Sequence, residues 1–157
     1  MRIGVVHGPN LNLLGQREPE LYGSVTLAEI DAGCVRVGQE FGLEVETFQA
    51  NAEGALIDYI HDAAPRVAGF VVNAGGYTHT SVALLDALVG VDRPFVEVHL
   101  TNLSAREEFR QRSLLAARAA GIIQGFGPAG YALAIRGLAG RLGRVAAPGP
   151  AAAAVRS

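Results

Sequence analysis

The chain has 157 residues, 13 basic and 15 acidic, with a net charge of −2, a 50% hydrophobic composition and one cysteine. The length suits one domain burying about two-thirds of its unfolded surface, and no apolar run approaches the ~20 residues of a membrane span, so the expectation is a cytoplasmic protein with no membrane partner. Charges of both signs are scattered without the basic stripe of a nucleic-acid binder, Cys34 rules out an internal disulfide or a multi-Cys metal site, and the absence of any Lys rules out the usual side-chain Schiff base.

In chain order, Arg2 to His7 carries Ile3, Val5 and Val6 and stops at Gly8-Pro9, which predicts a buried first strand. Residues 8–23 then form a long connection without periodicity, the kind that serves as a lid or binding loop, with Gly15 and Gly23 as candidate hinges. Thr26 and Glu29 have capping-box spacing, and Leu27, Ile30, Cys34, Val37 and Phe41 make one apolar stripe that ends at Gly42. Leu43 to Phe48 reads as the second strand. A helix over 55–64 follows, stopped by Pro65, and then a third strand over 69–73. The segment 74–81 turns on Gly75 and Gly76 and offers Thr78, His79, Thr80 and Ser81 as polar groups. Val82, Leu85, Leu88 and Val89 mark another helix, and Phe95 to His99 a fourth strand. Ser104 and Glu107 repeat the capping-box spacing, predicting a short helix to about Arg112. Ile122 and Ile123 suit a fifth strand, and Tyr131, Ile135, Leu138 and Leu142 a last helix near Pro128.

Strands alternating with helices predict an α/β fold, a flavodoxin-like doubly wound five-stranded parallel sheet in the order 2-1-3-4-5. One catalytic domain is expected over 1–145, with a disordered tail over 146–157. In that order the loops after strands one, three and four meet at one edge, beside the switch point between strands one and three.

Glu97 and His99, two apart on one strand, point to the same face, and a carboxylate beside an imidazole fixes its tautomer and suits it to general acid or base work. A buried ion pair at a strand end is the plainer reading of those two residues alone. His79, His99 and Glu97 are of the residue types of a metal triad, but no compact ligand motif supports one. Arg106 and Arg110, four apart, are spaced to face a common anion from one helical turn, with amides near 101–105 as further donors. His7 ends the first strand near the crevice and reads as support. Tyr22 becomes a candidate base if Arg17 lies close, because a guanidinium lowers a nearby phenol's pKa; Tyr77 competes for that role. A phospho-receiver would need an Asp where Asn73 stands and a Lys, and a flavin carrier a compact Ser/Thr-rich loop after strand one.

The runs HGPNLNLLGQREPELYG at 7–23, NAGGYTHTSVALLDAL at 73–88 and EVHLTNLSAREEFRQRS at 97–113 together resemble type II 3-dehydroquinate dehydratase, with the likeness extending over about residues 2–142. The resemblance implies a lyase that needs no cofactor and no metal, acting on 3-dehydroquinate by anti elimination of water through an enolate, in the shikimate pathway or in quinate breakdown. It implies Tyr22 as the base, Arg17 favouring its phenolate, Asn10 holding a water at the enolate oxygen, and His99, oriented by Glu97, as the acid. It also implies Asn73, His79 and Arg110 on substrate hydroxyls, the backbone of Leu100 and Thr101 on the carboxylate, and Arg106 closing over the site. Asp86 matches a residue that reaches a neighbouring subunit's site, which implies a homododecamer built of trimers. Thr101 stands where the family usually has Ser, Ser104 where His is common, and Ala52 where a more polar residue begins a helix.

Overall fold

The runs that read as strands pair side by side in one sheet, whose central strands are buried on both faces and need cover on both. In the computed structural model, which describes residues 1–16, Glu20 and 23–147, the strands are β1 (Arg2–His7), β2 (Glu44–Gln49), β3 (Phe70–Asn73), β4 (Phe95–His99) and β5 (Gly121–Gln124). All neighbours are parallel, in the order β2-β1-β3-β4-β5. The helices are α1 (Leu27–Glu40), α2 (Glu53–Ala63), α3 (Val82–Gly90), α4 (Glu108–Gln111) and α5 (Ala129–Arg141).

Side-chain alternation divides the core in two. Ile3 and Val5 of β1, Val71 of β3, and Val96 and Val98 of β4 pack with Ile30 and Cys34 of α1 and Tyr131, Ile135 and Leu138 of α5. Val6, Phe70, Val72 and Phe95 face the other way, against Leu56 and Ile60 of α2 and Leu84 and Leu88 of α3. Each fully buried side chain of this size contributes roughly 1.5–3 kcal/mol relative to its exposed state. Burial also pushes the Cys34 thiol up to about 12, in keeping with a core position rather than a reactive one.

The Thr26–Glu29 capping box forms in both directions, with the Glu29 amide 3.3 Å from the Thr26 hydroxyl and the Thr26 amide 2.7 Å from the Glu29 carboxylate. Three expectations need correction. The Ser104–Glu107 capping box does not form. Leu103–Ala105 is instead a 3-10 turn whose cap is Asn102, its side chain accepting from the Ser104 amide at 3.1 Å, and α4 begins separately at Glu108. Arg106 therefore sits in extended backbone between the two turns, so Arg106 and Arg110 do not share a helical turn. The connection after β1 is not wholly irregular, since Leu11–Leu13 form a 3-10 turn. Tyr22 and Arg17, expected as base and its promoter, and the tail beyond 147, expected to be disordered, lie outside the described residues; at the start of that tail, the Ala147 amide donates to the Glu40 carbonyl at 2.7 Å.

Candidate active site

Beyond the carboxyl ends of β1, β3 and β4 lies a cavity of about 270 Å³, suited to a small polar molecule rather than a drug-sized one. Two glycines let its walls come together. A Cβ on Gly8 would overlap the Ala74 backbone carbonyl, and the Gly8 amide donates to the Asn73 carbonyl at 2.7 Å. Gly75 has φ of 56° and would press a Cβ against the Pro9 carbonyl.

His99 lines this cavity, with Glu97 behind it. Both follow Phe95 by steps of two on β4, and His99 Nε2 lies 2.6 Å from Glu97 Oε1. A carboxylate oxygen without a proton only accepts, so Nε2 carries a proton toward Glu97 and Nδ1 is the ring nitrogen left to give or take one. Glu97 is fully buried, and its other oxygen has no hydrogen-bond partner among the described residues.

His79 is held by a backbone carbonyl. Its Nδ1 donates to the Arg112 carbonyl at 2.7 Å, since a carbonyl can only accept, which leaves Nε2 as the ring atom free to bind. Asn73 ends β3, and its Oδ1 accepts from the Gly75 amide at 3.2 Å. Arg106 and Arg110 reach the cavity despite their different backbones, and Glu107 serves both: its Oε2 is 3.5 Å from Arg106 Nε and 3.2 Å from Arg110 Nε. Arg106 Nη1 also donates to the Thr101 hydroxyl at 3.2 Å. The cavity thus sets two guanidinium groups and two imidazoles around one small volume, a donor-rich lining for an anionic, hydroxylated ligand.

Of the predicted residues, Asn10, Asn73, His79, His99, Leu100 and Thr101 line the cavity with both arginines. Asp86 does not; it is exposed on α3. Amides at 103–105 are unavailable as ligand donors, being bonded to Gln124 Oε1, Asn102 Oδ1 and the Asn102 carbonyl. Of the four polar residues over 78–81 only His79 faces the cavity: Thr78 is buried, and Ser81 caps α3 and donates to Glu53 at 2.6 Å. Tyr77 gives its hydroxyl to the Asn51 carbonyl at 2.7 Å, so it braces a loop rather than waiting as a base. Among the described residues, no three His, Cys, Asp or Glu side chains are grouped to hold a metal ion.

The family model described as "Dehydroquinase class II" matches residues 1–139. The chain belongs to this family. It is 54% identical over 144 residues to the 3-dehydroquinate dehydratase of Synechococcus sp. (strain CC9605), covering 92% of this chain and 99% of that one. It is 57% identical over 142 residues to the 3-dehydroquinate dehydratase of Rhodopseudomonas palustris (strain TIE-1), covering 90% and 94%. The crystal structure of type II dehydroquinase from Propionibacterium acnes superposes with a TM-score of 0.84 at 42% identity, over 88% of this chain and 96% of that chain.

In this class II dehydroquinase chain the sequence reading missed Asn51. Asn10 sits in left-handed backbone at φ 68°, and its amide donates to Asn51 Oδ1 at 3.0 Å, an oxygen that also accepts from Gln49 Nε2 at 3.0 Å. The signal was available: Asn51 follows β2, so its loop opens at the same sheet edge as the other three.

Proposed function

We infer that the chain removes water from 3-dehydroquinate to give 3-dehydroshikimate, without a cofactor. The observation that carries this is the Glu97–His99 pair at 2.6 Å, facing a cation-lined cavity in a class II dehydroquinase chain. Tyr22 takes the C2 proton, with Arg17 favouring its phenolate, and the C–H electron pair passes into an enolate whose oxygen is met by a water on Asn10. As the enolate collapses, the adjacent C–O bond breaks and His99 gives the departing oxygen a proton, so it leaves as water. Solvent then returns Tyr22 and His99 to their starting protonation states.

Binding falls to the remaining groups, most of which line the cavity. His79 Nε2, Asn73 and Arg110 take substrate hydroxyls, the backbone at Leu100 and Thr101 takes the carboxylate, and Arg106, tethered to Thr101, closes over it. These roles belong to one catalytic domain over 1–145, and the chain works in the cytoplasm. Asp86 completes a neighbouring subunit's site within a dodecamer, which its exposure on α3 away from its own cavity supports. Among the described residues no helix is long and apolar enough to cross a membrane.

The test is to add 3-dehydroquinate to purified protein, with no added cofactor, and follow the ultraviolet absorbance of the conjugated enone. Folded protein that yields no enone would overturn the reading. Light scattering that finds an active monomer would overturn the assembly.

A further inference from the structure

Four polar side chains form a continuous chain leading to the cavity, and the mechanism above uses only the last. His7 and Asn73 end the neighbouring strands β1 and β3, face each other in register, and point to the side covered by α1 and α5. His7 is fully buried, as is Tyr131 of α5 to within 1%. The Tyr131 hydroxyl lies 2.9 Å from His7 Nδ1 and 3.1 Å from Asn73 Nδ2. At the outer end, His7 Nε2 lies 2.8 Å from Asp31 Oδ1 on α1, whose side chain is 29% exposed.

Donor and acceptor chemistry gives this chain one direction. A carboxylate only accepts, so His7 carries a proton on Nε2, and in the neutral ring Nδ1 is then the acceptor. The proton that Nδ1 accepts comes from Tyr131, a phenol whose pKa burial pushes well above its ordinary value, so it stays protonated. With its proton committed to His7, the Tyr131 oxygen can only accept from Asn73, which therefore turns Nδ2 toward it. Asn73 Oδ1 is then left to accept from the Gly75 amide at 3.2 Å, and no other orientation of the amide satisfies both neighbours.

We propose that Asp31, His7 and Tyr131 are positioning residues that lock the side-chain amide of Asn73 in one orientation at the cavity, so that its remaining N–H and lone pair meet substrate hydroxyls in a fixed sense. This rests on the reading that Asn73 touches substrate. It differs from a merely structural role, in which the same bonds would tie α1 and α5 to the sheet and act on stability alone.

The experiment is a double-mutant cycle on the full chain with 3-dehydroquinate as the probe. Tyr131→Phe removes the hydroxyl and keeps the ring; KM is expected to rise about fivefold, the scale of one neutral hydrogen bond, with kcat within threefold of the parent. In an Asn73→Ala background the same change should add less than twofold to KM, because the side chain it acts through is gone. Should Tyr131→Phe not fold, Asp31→Asn at the part-exposed end enters the same cycle with the same expectation. Nitrogen-15 spectra of the parent should show His7 protonated at Nε2 and not at Nδ1. An unchanged KM, an equal effect in both backgrounds, or a His7 protonated at Nδ1 would overturn the relay while leaving the dehydratase reading intact. An Asn73→Ala variant with the parent's KM would instead remove the substrate contact assigned to Asn73, and the relay's purpose with it.

Discussion

Replacing Glu97 by Gln isolates what the carboxylate does for His99, because the two side chains have nearly the same shape. The ionised acceptor at 2.6 Å becomes a neutral amide that can turn either its oxygen or its NH2 toward Nε2. Hydrogen bonds to charged groups contribute about 1.5–3 kcal/mol and neutral ones about 0.5–1.5, so the hold on the ring weakens by about 1–2 kcal/mol. If that loss is felt only in the transition state, kcat falls about 5- to 30-fold at 1.36 kcal/mol per decade. Glu97 lies behind His99 and does not line the cavity, so KM should stay within about twofold of the parent's. Glu97→Ala should lose more activity and also stability, roughly 1–3 kcal/mol, because the buried His99 Nε2 would keep no partner. Steady-state enone formation, with circular dichroism to verify folding, reads all of this. A folded Glu97→Gln variant with kcat within twofold of the parent, or one whose defect lies wholly in KM, would show that the carboxylate does not position the proton donor.

Tyr22→Phe should lower kcat at least ~10²-fold with the fold preserved, the scale of losing a positioned base, and near-normal turnover would remove Tyr22 from that role. Arg17→Ala should also slow turnover, with the rate recovering as pH rises toward the ordinary phenol value of about 10, and a pH-independent loss would argue against phenolate promotion. Borohydride with substrate should leave activity intact, because a chain without Lys offers no side-chain imine to trap; substrate-dependent labelling in the intact mass would contradict this. Ala52 caps α2 in extended backbone with no side-chain bond, so Ala52→Ser should add about 0.5–1 kcal/mol in denaturant melts, and no gain would mean that the α2 amides are already satisfied. The Glu29 carboxyl is held below its ordinary value of 4.5 by the Thr26 amide first and the Thr26 hydroxyl second. A depressed folded value contributes stability that is present above about 4.5 and is lost as pH falls through that folded value, so Tm should drop there, and Glu29→Gln should flatten that limb of the curve.

Much of the molecule is decided within a few residues of chain. The Thr26–Glu29 box, the apolar stripe of α1 and the shared face of Glu97 and His99 follow from periods of 3.6 and 2, which act between near neighbours, so the element order and the parallel sheet could be read directly. The same local reasoning failed at Ser104, where the spacing was right but Asn102, two residues earlier, took the Ser104 amide first and changed how Arg106 is presented. Only the tertiary structure could bring Asn51 beneath Asn10, or join His7 to Tyr131 across 124 positions and Tyr131 to Asn73 across 58. Those partners lie on different elements, and no spacing along the chain encodes them. They meet because β1 and β3 are neighbours in register and Tyr131 of α5 reaches the ends of both, a juxtaposition that exists only once the sheet has assembled and buried polar groups must find their donors and acceptors within it.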